Sequence, residues 1–130
     1  MMKKVLIVDD DVDIRKVVSK LIEKSGYQAM EAKNGLEGMG KVREDKPDLI
    51  ILDMLMPKES GIRMYHELKT EGPLKDIPVI VLSAIPKKSF LRSQKVLDEF
   101  AGQSVPEPEA YIEKPEEPEE LIALMKKILG

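Results

Sequence analysis

The chain has 130 residues, a formal net charge of −3 and no cysteine. That length fits one ordinary domain, and the missing cysteine removes disulfides, thiolate metal sites and cysteine nucleophiles together. With 24 acidic against 21 basic side chains, the balance argues against a nucleic-acid footprint and against a polybasic membrane patch.

Apolar residues make up 42% of the chain, enough for a core. No apolar run approaches a membrane span. Behind Met1-Met2-Lys3-Lys4 stands only the short run Val5 to Val8, too little for a signal-peptide core. The cytoplasm is the simplest location, and residues 1–130 read as one domain with no room for an output domain.

In chain order, the first element is the apolar run Val5-Leu6-Ile7-Val8, stopped by Asp9-Asp10-Asp11. Ile14, Val17, Val18, Leu21 and Ile22 follow at helical spacing and form one apolar stripe. Gly26 stands where that helix would stop. Tyr27 to Glu31 is a weaker strand candidate. Asn34 can cap a second helix carrying Leu36, Met39 and Val42. Leu49-Ile50-Ile51-Leu52 is the next apolar run, stopped by Asp53. Glu59 or Ser60 opens a third helix that runs to about Thr70.

Val79-Ile80-Val81-Leu82 is the third strong run, stopped by Ser83. Pro86 can start a fourth helix carrying Phe90, Leu91 and Leu97. Ala101 to Glu109, AGQSVPEPE, has neither period and reads as a loop. Ala110 to Glu113 is a short strand. Pro118 can start a fifth helix with Leu121, Ile122, Leu124, Met125, Ile128 and Leu129 on its buried side. Strand and helix alternate five times, which predicts an α/β sheet of parallel strands with helices on both faces. Continuous β-branched runs fit strands covered on both sides.

In an open parallel sheet, ligands bind at the carboxyl ends of the strands. The residues terminating the apolar runs therefore belong together: Asp9 and Asp10, then Asp53, then Ser83, with Lys114 after the last strand. Clustered carboxylates repel one another, and a hard divalent cation such as Mg²⁺ relieves that repulsion. A carboxylate can also accept a phosphoryl group. Phosphoryl transfer needs neutralised oxygens more than acid–base chemistry; Mg²⁺, the Lys114 ammonium and the Ser83 hydroxyl supply that.

These residues carry a family pattern. The chain resembles the receiver domain of two-component response regulators over essentially its whole length. Val5 to Asp11 looks like the family's first strand and acidic pair. Asp48 to Pro57 looks like its phosphoacceptor strand and loop, with Gly61 at the later position. Ile80-Val81-Leu82-Ser83-Ala84 looks like its hydroxyl switch, and Tyr111-Ile112-Glu113-Lys114-Pro115 like its aromatic switch, lysine and proline.

The resemblance implies a (βα)5 flavodoxin-like, doubly wound sheet of order 2-1-3-4-5. It implies phosphorylation at Asp53, with Mg²⁺ held by Asp9, Asp10, Asp53 and the Leu55 carbonyl. Lys114 would contact the phosphoryl group, Ser83 would move towards it, and Tyr111 would turn inwards. The Lys114–Pro115 bond would be cis. The donor would be a histidine kinase or phosphotransfer protein, and the target a separate protein met through the fourth helix, fifth strand and fifth helix. The chain would be a monomer or weak dimer.

Two departures stand out. The stretch from Ser83 to Lys114 is longer than usual, with most of the surplus in AGQSVPEPE, and Glu116 stands where an aromatic commonly follows the proline. Leu55 and Ile85 are apolar at positions that tune dephosphorylation in the family, which predicts a long-lived phosphoryl group.

Blander readings exist for each residue. Asp9 to Asp11 alone fits a solvated helix cap, Ser83 a satisfied strand end, Lys114 a surface lysine and Tyr111 a static core edge. Their joint placement favours the site. His66, the only histidine, lies two residues from both Met64 and Leu68; if those face the core, His66 faces water. The eight methionines look like core filler, and the glutamates from Glu107 to Glu120 like a solvated loop and helix start. Two rival functions remain: a phosphorylation-independent adaptor on the same fold, and a Mg²⁺-dependent phosphohydrolase. Leu55 offers the latter no second acid.

Overall fold

The computed structural model describes residues 2–101, 105–114 and 117–130, and all of their side chains except those of Glu59, Leu97, Phe100 and Ala101. Five strands, β1 (Lys4–Val8), β2 (Gln28–Ala32), β3 (Leu49–Leu52), β4 (Val79–Ser83) and β5 (Ala110–Glu113), alternate with five helices. These are α1 (Val12–Lys24), α2 (Gly35–Glu44), α3 (Ser60–Thr70), α4 (Lys87–Ala101) and α5 (Pro118–Leu129). One 3₁₀ turn, Pro57–Glu59, leads into α3.

All four strand pairs are parallel, and the sheet order is β2-β1-β3-β4-β5. The expected doubly wound topology is thus present. Alternate residues of the strands feed two cores. Leu6, Val8, Ile50, Leu52, Val79 and Val81 pack with residues of α2, α3 and α4. Val5, Ile7, Leu49, Ile51, Ile80 and Leu82 pack with α1 and α5. Both faces are covered, which is why these strands read as unbroken apolar runs. Burying each such side chain stabilises the fold by roughly 1.5–3 kcal/mol.

Local chemistry sets the helix starts. Asp11 caps α1, its carboxylate accepting from the Asp13 and Ile14 amides. Asn34 caps α2 through the Glu37 amide. The helical stripes are narrower than the sequence suggests. Val17 on α1 is 55% exposed and Leu36 on α2 is 86% exposed. On α1 the buried face is Val18, Ser19 and Ile22; on α2 it is Gly35, Gly38, Met39 and Val42. On α5 only Leu121, Met125 and Leu129 are buried, and Ile122, Leu124 and Ile128 lie half-buried beside them.

His66 does not face water. Its side chain is only 15% exposed and its Nε2 lies 3.5 Å from Asp98 Oδ1 on α4. Its spacing points it away from Met64 and Leu68, but α4 covers that side of α3 and takes the place of water. Among the described residues, no helix is long and apolar enough to cross a membrane.

Candidate functional site

The site forms where β1, β3, β4 and β5 end. Asp9 follows β1 and Asp53 follows β3; both are buried, whereas Asp10 is exposed. One carboxylate oxygen from each of Asp9, Asp10 and Asp53 lies within 4.8 Å of the others. Asp11, the third of the run, is spent on the α1 cap.

Lys114 supplies the counter-charge. Its Nζ donates to Asp9 Oδ2 at 3.2 Å and lies 3.8 Å from Asp53 Oδ2. The other Asp9 oxygen accepts from the Asp11 amide at 2.9 Å. Asp53 Oδ1 accepts from the Leu55 amide at 3.0 Å. Burial and the Asp9 charge push the Asp53 carboxyl up to about 6, against the pull of the Leu55 amide, Lys114 and Ser83. The single ammonium therefore does not fully offset the crowding of carboxylates.

Ser83 is fully buried at the end of β4, and its hydroxyl accepts from the Ile85 amide at 3.2 Å. Its carbonyl accepts from the Lys114 amide at 2.9 Å, which ties the two site residues across neighbouring strands. The Tyr111 hydroxyl donates to the Ile85 carbonyl, and its ring packs against Phe90 at 5.5 Å between centroids. Burial pushes that phenol up to about 12. Leu55 reaches the site through its backbone, and its side chain is 60% exposed at the mouth. The expected cis bond involves Pro115, which with Glu116 lies outside the described residues.

Two further residues shape the site: Gly61, expected from the sequence after the phosphoacceptor loop, and Arg15, which no motif singled out. Gly61 sits so close beneath Asp53 that a Cβ there would lie 2.2 Å from the Asp53 carbonyl oxygen. Arg15 on α1 donates from Nη1 to the Asp9 carbonyl at 2.9 Å. Its Nε donates to Glu31 Oε1 at 3.1 Å. A cation one turn beyond the α1 cap was the available hint.

Farther off, α3 holds the segment before β5. Tyr65 Oη donates to the Pro106 carbonyl. Lys69, buried, donates to the Ile77 carbonyl at 2.8 Å and lies 3.7 Å from Glu109. Glu109 also accepts from the Val79 amide at 2.6 Å, so this glutamate is anchored rather than freely solvated.

The donor set is all oxygen, and it carries more negative charge than Lys114 balances. That chemistry suits a hard divalent cation. A match to the model of the response regulator receiver domain covers residues 5–126. The chain belongs to the response regulator receiver family. The receiver is 35% identical over 127 residues to the phosphate regulon transcriptional regulatory protein PhoB of Pseudomonas aeruginosa, covering 98% of this chain and 52% of PhoB. It thus spans about half the length of the PhoB relatives it matches.

It is 37% identical over 130 residues to the polar-differentiation response regulator DivK of Brucella anthropi, covering 100% of this chain and 98% of DivK. Among solved structures, chemotaxis response regulator CheY4 of Vibrio cholerae superposes with a TM-score of 0.80 at 26% identity, covering 98% of this chain and 99% of that one. The chain is thus a receiver domain of a two-component system, a regulatory domain rather than a conventional enzyme. Such receivers use Mg²⁺ at an acidic pocket, and the three-aspartate group is present here. Receivers also imply a phosphodonor kinase and downstream targets.

Proposed function

We propose that this receiver accepts a phosphoryl group onto Asp53 from a phosphohistidine donor and then changes conformation to control a separate protein. The observation that carries the reading is the juxtaposition of Asp9, Asp10 and Asp53, their oxygens within 4.8 Å, with Lys114 Nζ reaching two of them.

In the transfer, an Asp53 carboxylate oxygen attacks phosphorus. A P–O bond forms, the donor's P–N bond breaks, and its imidazole leaves. Lys114 supports negative charge on the incoming group from beside Asp53. Asp9 and Asp10, with Asp53 and the Leu55 carbonyl, would hold Mg²⁺, which when bound screens the carboxylates and phosphoryl oxygens. Ser83 stands one strand away, where its hydroxyl can turn to a phosphoryl oxygen. Tyr111, hydrogen-bonded to the Ile85 carbonyl two residues beyond Ser83, is placed to follow that movement.

Residues 1–130 read as one receiver domain, in line with the near-complete overlap with DivK. A cytoplasmic location follows from the class of donor. The chain promotes its own phosphorylation and dephosphorylation rather than turning over a separate substrate.

The test is intact mass after incubation with a small-molecule phosphoryl donor, with and without Mg²⁺, on wild type and Asp53→Ala. One Mg²⁺-dependent adduct on wild type alone is expected. An adduct of equal yield on Asp53→Ala would overturn the assignment.

A further inference from the structure

We propose that Arg15 and Glu31 form a strut that positions the Asp9–Asp10 pair for the divalent cation. The inference rests on the Mg²⁺-dependent reading above and extends it to two residues outside the acidic cluster.

The strut joins three elements. Arg15 lies on α1, Glu31 on β2, and the Asp9 carbonyl at the end of β1. The guanidinium forks: Nη1 donates to the Asp9 carbonyl at 2.9 Å, and Nε to Glu31 Oε1 at 3.1 Å. Both side chains are largely buried, 15% and 27% exposed. Glu31 also accepts from Lys16 at 3.2 Å and Ser19 at 3.3 Å, so the anchor at the far end is itself held. Burial alone would raise the Glu31 carboxyl, yet the bonds from Lys16, Arg15 and Ser19 hold it below its ordinary value. The anchor is therefore an ionised carboxylate at neutral pH.

The other side of Asp9 is fixed from the next residue of the same strand. The Asp9 amide donates to the Ala32 carbonyl at 3.1 Å. The carbonyl that Arg15 grips belongs to the peptide linking Asp9 to Asp10. Its plane sets the direction in which the exposed Asp10 side chain leaves the backbone. Asp9 is tethered by Asp11 and Lys114 as well, whereas no hydrogen bond to the Asp10 side chain occurs among the described residues. Asp10 thus depends on the peptide for its aim. A lysine cannot replace the fork, because one ammonium lacks the planar pair of donors that meets both partners at fixed spacing.

Two other roles for Arg15 predict different outcomes. As a bare cation beside an acidic site, it would repel Mg²⁺, and its removal would tighten binding. As a brace for α1 alone, its removal would lower stability and leave Mg²⁺ affinity unchanged. As a positioning residue, its removal weakens Mg²⁺ binding, by about tenfold for a group that orients a metal ligand.

The experiment is calorimetric titration of MgCl₂ into the full chain and into Arg15→Ala, Arg15→Lys and Glu31→Gln, with thermal unfolding in EDTA alongside. The dissociation constant is expected to rise about tenfold in Arg15→Ala. Arg15→Lys, with its charge kept, recovers only part of the loss, and Glu31→Gln shows a smaller rise than Arg15→Ala. Tighter or unchanged Mg²⁺ binding in these variants, with wild type binding normally, overturns the strut and spares the Mg²⁺ reading. Should Arg15→Ala not fold, Arg15→Lys and Glu31→Gln decide the matter. A wild type that binds no Mg²⁺ overturns the underlying reading and the strut with it.

Discussion

Phe90 stacks on Tyr65, with ring centroids 5.2 Å apart and planes inclined by 18°. The opposite neighbour of Phe90 is Tyr111, at 5.5 Å and 45°. Three rings from α3, α4 and β5 thus pack in series, and their two outer hydroxyls hold loop backbone. Tyr111 donates to Ile85 after β4, and Tyr65 to Pro106 before β5. The long AGQSVPEPE stretch is anchored at its described end.

Tyr65→Phe keeps the ring and removes the donor to Pro106. We expect a stability loss of about 1 kcal/mol, the usual net worth of such a bond. Amide exchange in the 105–109 segment should rise with it. Unchanged exchange there, measured by mass spectrometry beside urea unfolding, would show that the Glu109 contacts alone hold the segment.

Asp53 makes stability depend on pH. Its carboxyl titrates at about 6 in the fold, against roughly 3.9 in an unfolded chain. The folded state therefore keeps a proton that the unfolded state releases. The contribution is full below about pH 4 and is lost as pH rises through about 6. In EDTA at neutral pH, Asp53→Asn should be the more stable form by about 1–2 kcal/mol, less than the whole difference between the folded and unfolded values because the fold relaxes around the buried charge. Near pH 4 the difference should vanish. Urea midpoints at the two pH values check this, and an equal advantage at both would contradict the Asp53 assignment.

Gly61 shows how closely α3 underlies the phosphoacceptor. With a Cβ only 2.2 Å from the Asp53 carbonyl oxygen, Gly61→Ala must push α3 or the Asp53 loop aside. A loss of about 1–3 kcal/mol is expected, as for overpacking elsewhere. Phosphorylation by a small-molecule donor should slow as well. Normal stability with a normal rate would mean that the loop yields without strain.

The strands and the site's main residues were legible because one physical cause produced both signals. Sheet faces covered on both sides demand unbroken apolar runs. The polar residues that interrupt those runs, Asp9, Asp53 and Ser83, then stand at the ligand-binding edge. What escaped was set by helix neighbours. Leu36 fits the α2 spacing but is pushed outwards because Gly35 and Gly38 form the close contact with α3. Lys69 has the look of a surface lysine within His66-Glu67-Leu68-Lys69-Thr70. It is buried because the carbonyls of Lys75 and Ile77 turn back to receive it. Arg15 and Glu31 are 16 residues apart, and only the β1–β2 pairing brings their partners together. Pairwise contacts across elements leave no period in the chain.

Lys114 is the counter-charge that reaches both Asp9 and Asp53, so its removal should separate cation binding from switching. In Lys114→Ala the two carboxylates face each other without an ammonium, and Mg²⁺ meets less competing charge. Mg²⁺ affinity is expected to hold or increase. Some phosphorylation should persist, while the phosphate-dependent shift in backbone NMR spectra weakens. A normal shift would remove Lys114 from the switch.

The phosphoryl lifetime depends on whether water can be oriented at the mouth of the site. Leu55 projects there, 60% exposed, and Ile85 flanks Ser83 while its carbonyl holds Tyr111. Neither side chain offers a donor or acceptor to an attacking water. Leu55→Gln supplies both and leaves the backbone amide that binds Asp53 in place. Phosphate release should quicken by roughly tenfold, less than the roughly 10²–10⁴-fold of a fully positioned acid–base group, because a glutamine amide orients the water without taking its proton. The loss of the intact-mass adduct with time measures it. A half-life equal to that of wild type in both Leu55→Gln and Ile85→Gln would show that apolar character at these positions does not protect the aspartyl phosphate.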